Sequence, residues 1–451
     1  MNLIYGIHDK PKFGQVILFA LQQLLAIMAA TIAVPAVINA ACGTALPASA
    51  ALFGAGIGSF VYLLFTKNSS PVFLGSSFAF IGPMISAFGG AASMAVGYIG
   101  LIIGAAMAGL VYVVIAIVVK FCGVKWINRL MPPVIIGPTV AIIGLSLSAN
   151  AIGDLMKSSV EGGSTYVALI CGLITLAVTM LVSTYSKKGL RLIPFIVGIL
   201  AGYAAASIFS LIGRMTGNGA LCVINYSAFK DCGLFAMPDF TFLLGKEAFG
   251  QITPTYLLTL FAAYVPVAFV VFAEHLADHK NLSSIVGVDL LETPGLTRTL
   301  LGDGVGSMVG AIFGGCPNTT YGESIGCVAI TRNASTVSIW GAAVLCIIFS
   351  FISPLIAFLQ TIPNCVMGGV CVALYGFIAV SGLKMFQSVD LNENRNLFVA
   401  SIILITGIGG MVVSFGAVEI RTVACALILG ILANCMLSKA PKQDKEEVKN
   451  S

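Results

Sequence analysis

Apolar stretches of about twenty residues recur along the chain from Val16 to Leu437, separated by short polar turns. Each is long enough to cross a hydrocarbon core about 30 Å thick. Read together with the Gly, Pro and charged residues that interrupt them, they predict fourteen spans. Seven lie near residues 14 to 36, 48 to 65, 71 to 88, 94 to 119, 132 to 152, 165 to 184 and 192 to 213. Seven more lie near 254 to 275, 299 to 314, 317 to 331, 336 to 360, 364 to 383, 396 to 415 and 418 to 437. The longest polar interval, 214 to 253, divides the chain into halves of seven spans, 1–213 and 254–438, and leaves 439–451 as a tail. An odd number of spans per half obliges the second half to enter the membrane in the opposite sense, which is the arithmetic of an inverted repeat. The fold class expected is an all-α polytopic membrane protein.

Two segments break the apolar pattern at matching positions. The third, "PVFLGSSFAFIGPMISAFGG", and the tenth, "CPNTTYGESIGCVAITR", are interrupted by Gly, Pro, Ser and Thr. Each reads as a few extended residues, "FLGSS" and "NTTYG", leading into a half-helix that begins near Phe78 or Glu323. Non-helical backbone at membrane depth survives only where it is buried in protein or lines a cavity. The first turns of the two half-helices would then offer unpaired N–H groups to a ligand oxygen. The plainer alternative is a pair of kinked helices using Gly for close packing.

Composition supports the membrane class: 58% of the residues are hydrophobic and 9% charged, against about 25% charged in soluble domains. The opening "MNLIYGIHDKPKFG" lacks the pattern of a cleaved signal. A net charge of +5 is spread over short loops rather than gathered in one patch, so no nucleic-acid partner is expected. With a cytoplasmic N-terminus, eighteen of the 23 Lys and Arg fall on the inside, Lys188 and Lys445 among them. The other five, Lys157, Arg214, Lys230, Lys246 and Arg421, fall outside. The positive-inside rule therefore places both termini in the cytoplasm. The twelve cysteines show no CxxC spacing and read mainly as small hydrophobes; Cys222 and Cys232, both in the external interval, are the one pair placed to form a disulfide. No metal or cofactor motif is present, and Cys316, His275 and His279 form no recognisable triad.

A carboxylate at membrane depth is costly and so marks function first. Glu323, inside "FGGCPNTTYGESIG", and Glu274, at the end of an uncharged run, are the two placed there, whereas Asp303 and Glu419 read as interfacial. Asp278 follows Glu274 at i+4 and shares its helix face; His279 lies about 100° round, and His275 points elsewhere. Asp278, His279 and Lys280 also fit an ordinary solvated helix end. Two carboxylates and two half-helix N-termini suit a neutral planar ligand that carries both N–H donors and carbonyl oxygens. Phe78, Phe80, Tyr321 and Tyr375 are the aromatic residues available to stack on it. Protonation of either carboxylate would alter local charge and donor pattern together, which links a proton gradient to affinity.

The stretches "FLGSSFAFIGP", "AEHLADH", "GGCPNTTYGESIGCVAITR" and "MGGVCVALYGFIAVSG" resemble the nucleobase-ascorbate transporter family, and closely its bacterial uracil permease branch. The similarity runs over nearly the whole chain. It implies fourteen spans in a seven-plus-seven inverted repeat, a core and a gate domain, and short antiparallel strands in segments three and ten. It also implies a proton-coupled uracil symporter in the bacterial inner membrane, with uracil, protons and lipid as partners. By motif, Glu274 and Glu323 would bond the pyrimidine, Phe78 and Gly322 would supply backbone N–H groups, and Ser77, Tyr321 and Tyr375 would lie beside them. Proton coupling is implied for Glu274, Asp278 or His279. The chain departs from the family pattern in the first span, where the family often has Gln-His and this chain has Gln22 and Gln23, at Ser324 (usually Asn) and at Asp278 (His in some uracil permeases). A purine symporter for xanthine or uric acid, and an anion exchanger or channel, are the competing readings. A homodimer is left open.

Overall fold

The structure, a computed structural model, describes residues 3–123, 126, 132–186, 190, 193–230, 233–387, 389–415, 418–420 and 422–439. Cys232, Lys188, Arg421, Lys445 and nearly all of the expected tail lie outside the described residues.

Among the described residues, eight helices are long and apolar enough to cross a membrane, and four shorter apolar ones accompany them. The first half supplies α1 (Phe13–Cys42), α2 (Ala48–Phe65), α3 (Ile81–Gly89) and α4 (Met94–Cys122). It continues with α5 (Pro133–Ser146), α6 (Ser148–Leu155), α7 (Thr165–Tyr185) and α8 (Pro194–Thr216). The second half supplies α9 (Pro254–Val286), α10 (Leu296–Gly314), α11 (Gly322–Thr331) and α12 (Thr336–Ser350). It ends with α13 (Ser353–Thr361), α14 (Asn364–Phe386), α15 (Asn394–Ile408) and α16 (Thr422–Met436). Pro35, Pro138 and Pro266 sit inside helices, where each lacks the N–H that would bond the carbonyl four residues earlier.

Packing falls into two groups. In one, α10 lies against α2 and α4, α12 against α2 and α1, and α9 against α4. In the other, α14 lies against α5, α6 and α7, α7 against α8, and α15 against α5 and α16. The α2–α10 seam is made of glycine: a Cβ on Gly54 would lie 2.4 Å from the Gly310 carbonyl, and one on Gly58 2.8 Å from that of Gly306. With glycines four apart on both helices, the backbones come into contact, and the Asn318 side-chain amide lies in the seam, donating to the Gly54 carbonyl at 2.9 Å.

At the middle of the first group two strands replace helix. β1 (Leu74–Ser76) pairs antiparallel with β2 (Asn318–Thr320), in the register Leu74↔Thr320, Gly75↔Thr319 and Ser76↔Asn318. A 3-10 turn, Phe78–Phe80, leads from β1 into α3, and α11 starts at Gly322 just after β2. The ladder carries the backbone bonds that these six residues would otherwise lack in a buried setting, and all six are buried.

The structure corrects three sequence expectations. α9 continues to Val286 instead of stopping near 275, so Asp278 lies eight residues inside a helix and not at its end. The expected span 336 to 360 is two helices, α12 and α13. The last two expected spans are helices of 15 residues each, joined by a hairpin of β3 (Val413–Phe415) and β4 (Val418–Ile420), and Glu419 falls on β4.

Candidate functional site

Between the two groups lies a cavity of about 330 Å³. Its wall on the strand side is built from Ser77 and Phe78 after β1, Thr319 and Thr320 of β2, and Tyr321, Gly322 and Glu323 at the start of α11. Glu274 and Asp278 reach it from α9, one helical turn apart on one face. The opposite wall is Val140 of α5, Phe195 of α8, and Phe377, Ser381 and Met385 of α14. The cavity thus joins residues some 250 positions apart because the β1–β2 ladder brings the two broken segments side by side.

Glu323 stands in the first turn of α11, where the helix dipole favours a negative charge. The same turn, and the turn beginning at Phe78, leave N–H groups without an intrahelical acceptor. Tyr321 lies over β1: its hydroxyl donates to the Ser76 carbonyl, and its ring occupies the space that any side chain at Gly75 would need, with a Cβ there falling 2.5 Å from the ring. Asp278 accepts a hydrogen bond from the Thr320 hydroxyl at 2.7 Å, which anchors α9 to β2.

Seven of the residues singled out from sequence therefore border the cavity: Ser77, Phe78, Glu274, Asp278, Tyr321, Gly322 and Glu323. Tyr375 does not line it but packs edge-on against Phe78, ring centroids 5.6 Å apart. Phe80 faces away and stacks on Tyr264 at 5.7 Å. His279 is also outside the wall: it is fully buried, with Nε2 2.7 Å from the Tyr62 hydroxyl and Nδ1 2.8 Å from the His275 carbonyl.

Asp303 is the clearest correction. Expected at an interface, it is 1% exposed inside α10, with Oδ2 2.7 Å from Nδ1 of His275, whose Nε2 is 3.0 Å from the Thr299 hydroxyl. A buried carboxylate needs a partner, and His275 supplies it from the face of α9 turned away from the cavity. The one sequence signal was an acidic residue flanked by glycines, "LLGDGVG", within an apolar run. Phe195, Phe377, Ser381 and Met385 were missed because single aromatic and small residues in a span look the same whether they face lipid or a cavity.

A sequence model described as "Permease family" matches residues 14–415. The chain belongs to this family, the nucleobase-ascorbate transporters. It is similar to the uracil permease of Bacillus caldolyticus, 39% identical over 442 residues that cover 97% of this chain and 96% of that protein. It is similar also to the uracil permease of Bacillus subtilis (strain 168), 37% identical over 451 residues, 98% and 97% of the two chains. Among solved structures, the transmembrane domain of a cyanobacterium bicarbonate transporter, BicA, superposes with a TM-score of 0.61 at 16% identity. The match covers 95% of this chain and 99% of that one, and carries the fold alone. The chain is a membrane permease, not an enzyme.

Proposed function

We propose that this permease is a proton-coupled uracil importer of the bacterial cytoplasmic membrane. The observation that carries the proposal is the pairing of Glu274 and Glu323 on one cavity with the open first turns at Phe78 and Gly322. Uracil presents two ring N–H donors and two carbonyl oxygens; the carboxylates accept from the former, and the half-helix N–H groups donate to the latter. Phe78 and Tyr321 offer ring surface to its faces. The names of the relatives point to the same ligand. No Lys or Arg is among the cavity-lining residues, whereas Glu274, Asp278 and Glu323 all are, so an anionic substrate would meet three carboxylates and no fixed positive charge. The likeness to a bicarbonate transporter, being one of fold, does not offset that.

Glu274 is the proton-coupling group in this reading, because its protonation changes both the charge and the donor pattern that the ligand meets. Asp278, on the same wall, extends the acidic stripe along α9. The finer architecture belongs to the same proposal: fourteen spans in two inverted halves, 1–213 and 254–438, joined by an external linker at 214–253, with both termini in the cytoplasm. The first packing group, α1–α4 with α9–α12, takes the part of a core domain, and α5–α8 with α14–α16 that of a gate.

The test is uptake of radiolabelled uracil into proteoliposomes under an imposed pH gradient, inside alkaline. Concentrative uptake that collapses with the gradient, and that excess xanthine leaves intact, is expected. Glu274→Gln fixes the group in a neutral, proton-mimicking state, so its uptake should no longer respond to the gradient. A Glu274→Gln protein that still concentrates uracil on the gradient alone would refute the coupling role, and strong inhibition by xanthine would favour a purine symporter.

A further inference from the structure

Directly behind Glu323, one hydroxyl joins three distant parts of the chain. Ser324 is fully buried, and its oxygen accepts the backbone N–H of Phe73, the residue before β1, at 3.0 Å. The same oxygen accepts a hydrogen bond from the side-chain amide of Gln23, which is 3% exposed in the middle of α1. A hydroxyl oxygen has two acceptor sites, and these two donors occupy both. Neither Gln23 nor Ser324 borders the cavity.

We propose that Gln23 is a positioning residue for the substrate site: acting through Ser324, it fixes the first turn of α11, and with it the Glu323 carboxylate, against the segment that carries Phe78. The start of α11 needs such a tie. The helix has ten residues, its N-cap residue Tyr321 makes no side-chain capping bond, and the ladder leading into it is three residues long. The Ser324 hydroxyl holds that turn to the β1 side through Phe73 and to α1 through Gln23. Removing the Gln23 amide frees one lone pair of Ser324 and one constraint on the turn. Glu323 then samples orientations in which its oxygens miss a ligand N–H, since a hydrogen bond weakens steeply as its angle opens. The inference rests on the reading that Glu323 holds the ligand.

Equilibrium uracil binding to purified Gln23→Ala, Ser324→Ala and the double variant tests it, alongside Ser324→Thr, which keeps the hydroxyl. Gln23→Ala is expected to raise Kd about tenfold, the scale of one lost hydrogen bond that organises a charged acceptor, and Ser324→Ala, which also frees the Phe73 N–H, by at least as much. The double variant should bind no worse than Ser324→Ala, because the one contact that Gln23→Ala breaks is already lost there. Ser324→Thr should stay within about twofold of wild type. Fully additive losses, or an unchanged Kd with a lowered melting temperature, would overturn the proposal and leave Gln23 a packing residue. Hydrogen exchange on the unliganded protein separates this from the substrate reading. Gln23→Ala should speed exchange over residues 322–326 while leaving α12 unchanged, and equal protection in both proteins overturns the proposal whether or not uracil binds. A wild type that binds no uracil but shows the exchange difference strikes the substrate reading alone.

Discussion

Replacing Glu323 by Gln keeps the shape of the side chain and removes its charge, and it should cost most of the affinity for uracil. Glu323 is half-buried at the start of α11 and borders the cavity together with Glu274. A carboxylate there presents acceptor sites only; an amide turns half of its end into N–H donors, which would face the donors of the ring. The loss is at least one hydrogen bond to a charged group, about 1.5–3 kcal/mol, or roughly a 10- to 150-fold rise in Kd. Stability should change less, since the charge's favourable placement on the helix dipole is worth about 0.3–1 kcal/mol. Calorimetric titration of uracil into purified protein measures the first quantity and a melting curve without ligand the second. Glu247→Gln, at an exposed site remote from the cavity, is the control. Unchanged affinity would remove Glu323 from the site; lost affinity with a collapsed melting transition would make it structural.

Three further expectations follow from the geometry. Single cysteines at Lys67 and Lys384 should be labelled only from the cytoplasmic side and one at Lys246 only from outside; reversed labelling would overturn the charge-based topology and the inverted repeat with it. Asp278→Asn should weaken gradient-driven uracil uptake, because Asp278 is on the cavity wall beside Glu274 and bonded to Thr320; an intact gradient response would return it to the role of a plain helix charge. Gly54→Ala should destabilise the fold by about 1–3 kcal/mol, the range for overpacking, because its Cβ would meet the Gly310 carbonyl. Gly153→Ala, where the same atom meets nothing within 4 Å, should be nearly neutral in a thermal unfolding assay in detergent.

Legibility followed the range of the interaction. The broken segments were readable because Gly, Pro and Thr inside an apolar run cannot continue a lipid-facing helix, and the half-helix starts fall at Phe78 and Gly322. Glu274 and Glu323 were readable as isolated charges. Asp303 was not, since its environment is set by His275, 28 residues earlier on another helix, and no local pattern encodes that partner. Nor was the tie between Gln23 and Ser324, which spans 301 residues. The end of α9 was misjudged because a polar run with charges, "HLADHKNLSS", resembles a solvated terminus whether or not the helix continues.

The glycine seam between α2 and α10 has a mechanical consequence. Where glycine backbones touch there are few rotamers to exchange, and the side-chain amide that lies between them, that of Asn318, is bonded to the Gly54 carbonyl. The second group has a comparable seam, with a Cβ on Gly144 falling 2.2 Å from the Tyr375 carbonyl and one on Gly382 2.3 Å from the Ala141 nitrogen. Each group is in this respect a stiff plate. The surfaces that face each other across the cavity carry Phe78, Phe195, Phe377 and Met385, long side chains that can slide and repack. Compliance is therefore concentrated at the boundary between the two groups, along the cavity wall, and not at the helix seams inside either one.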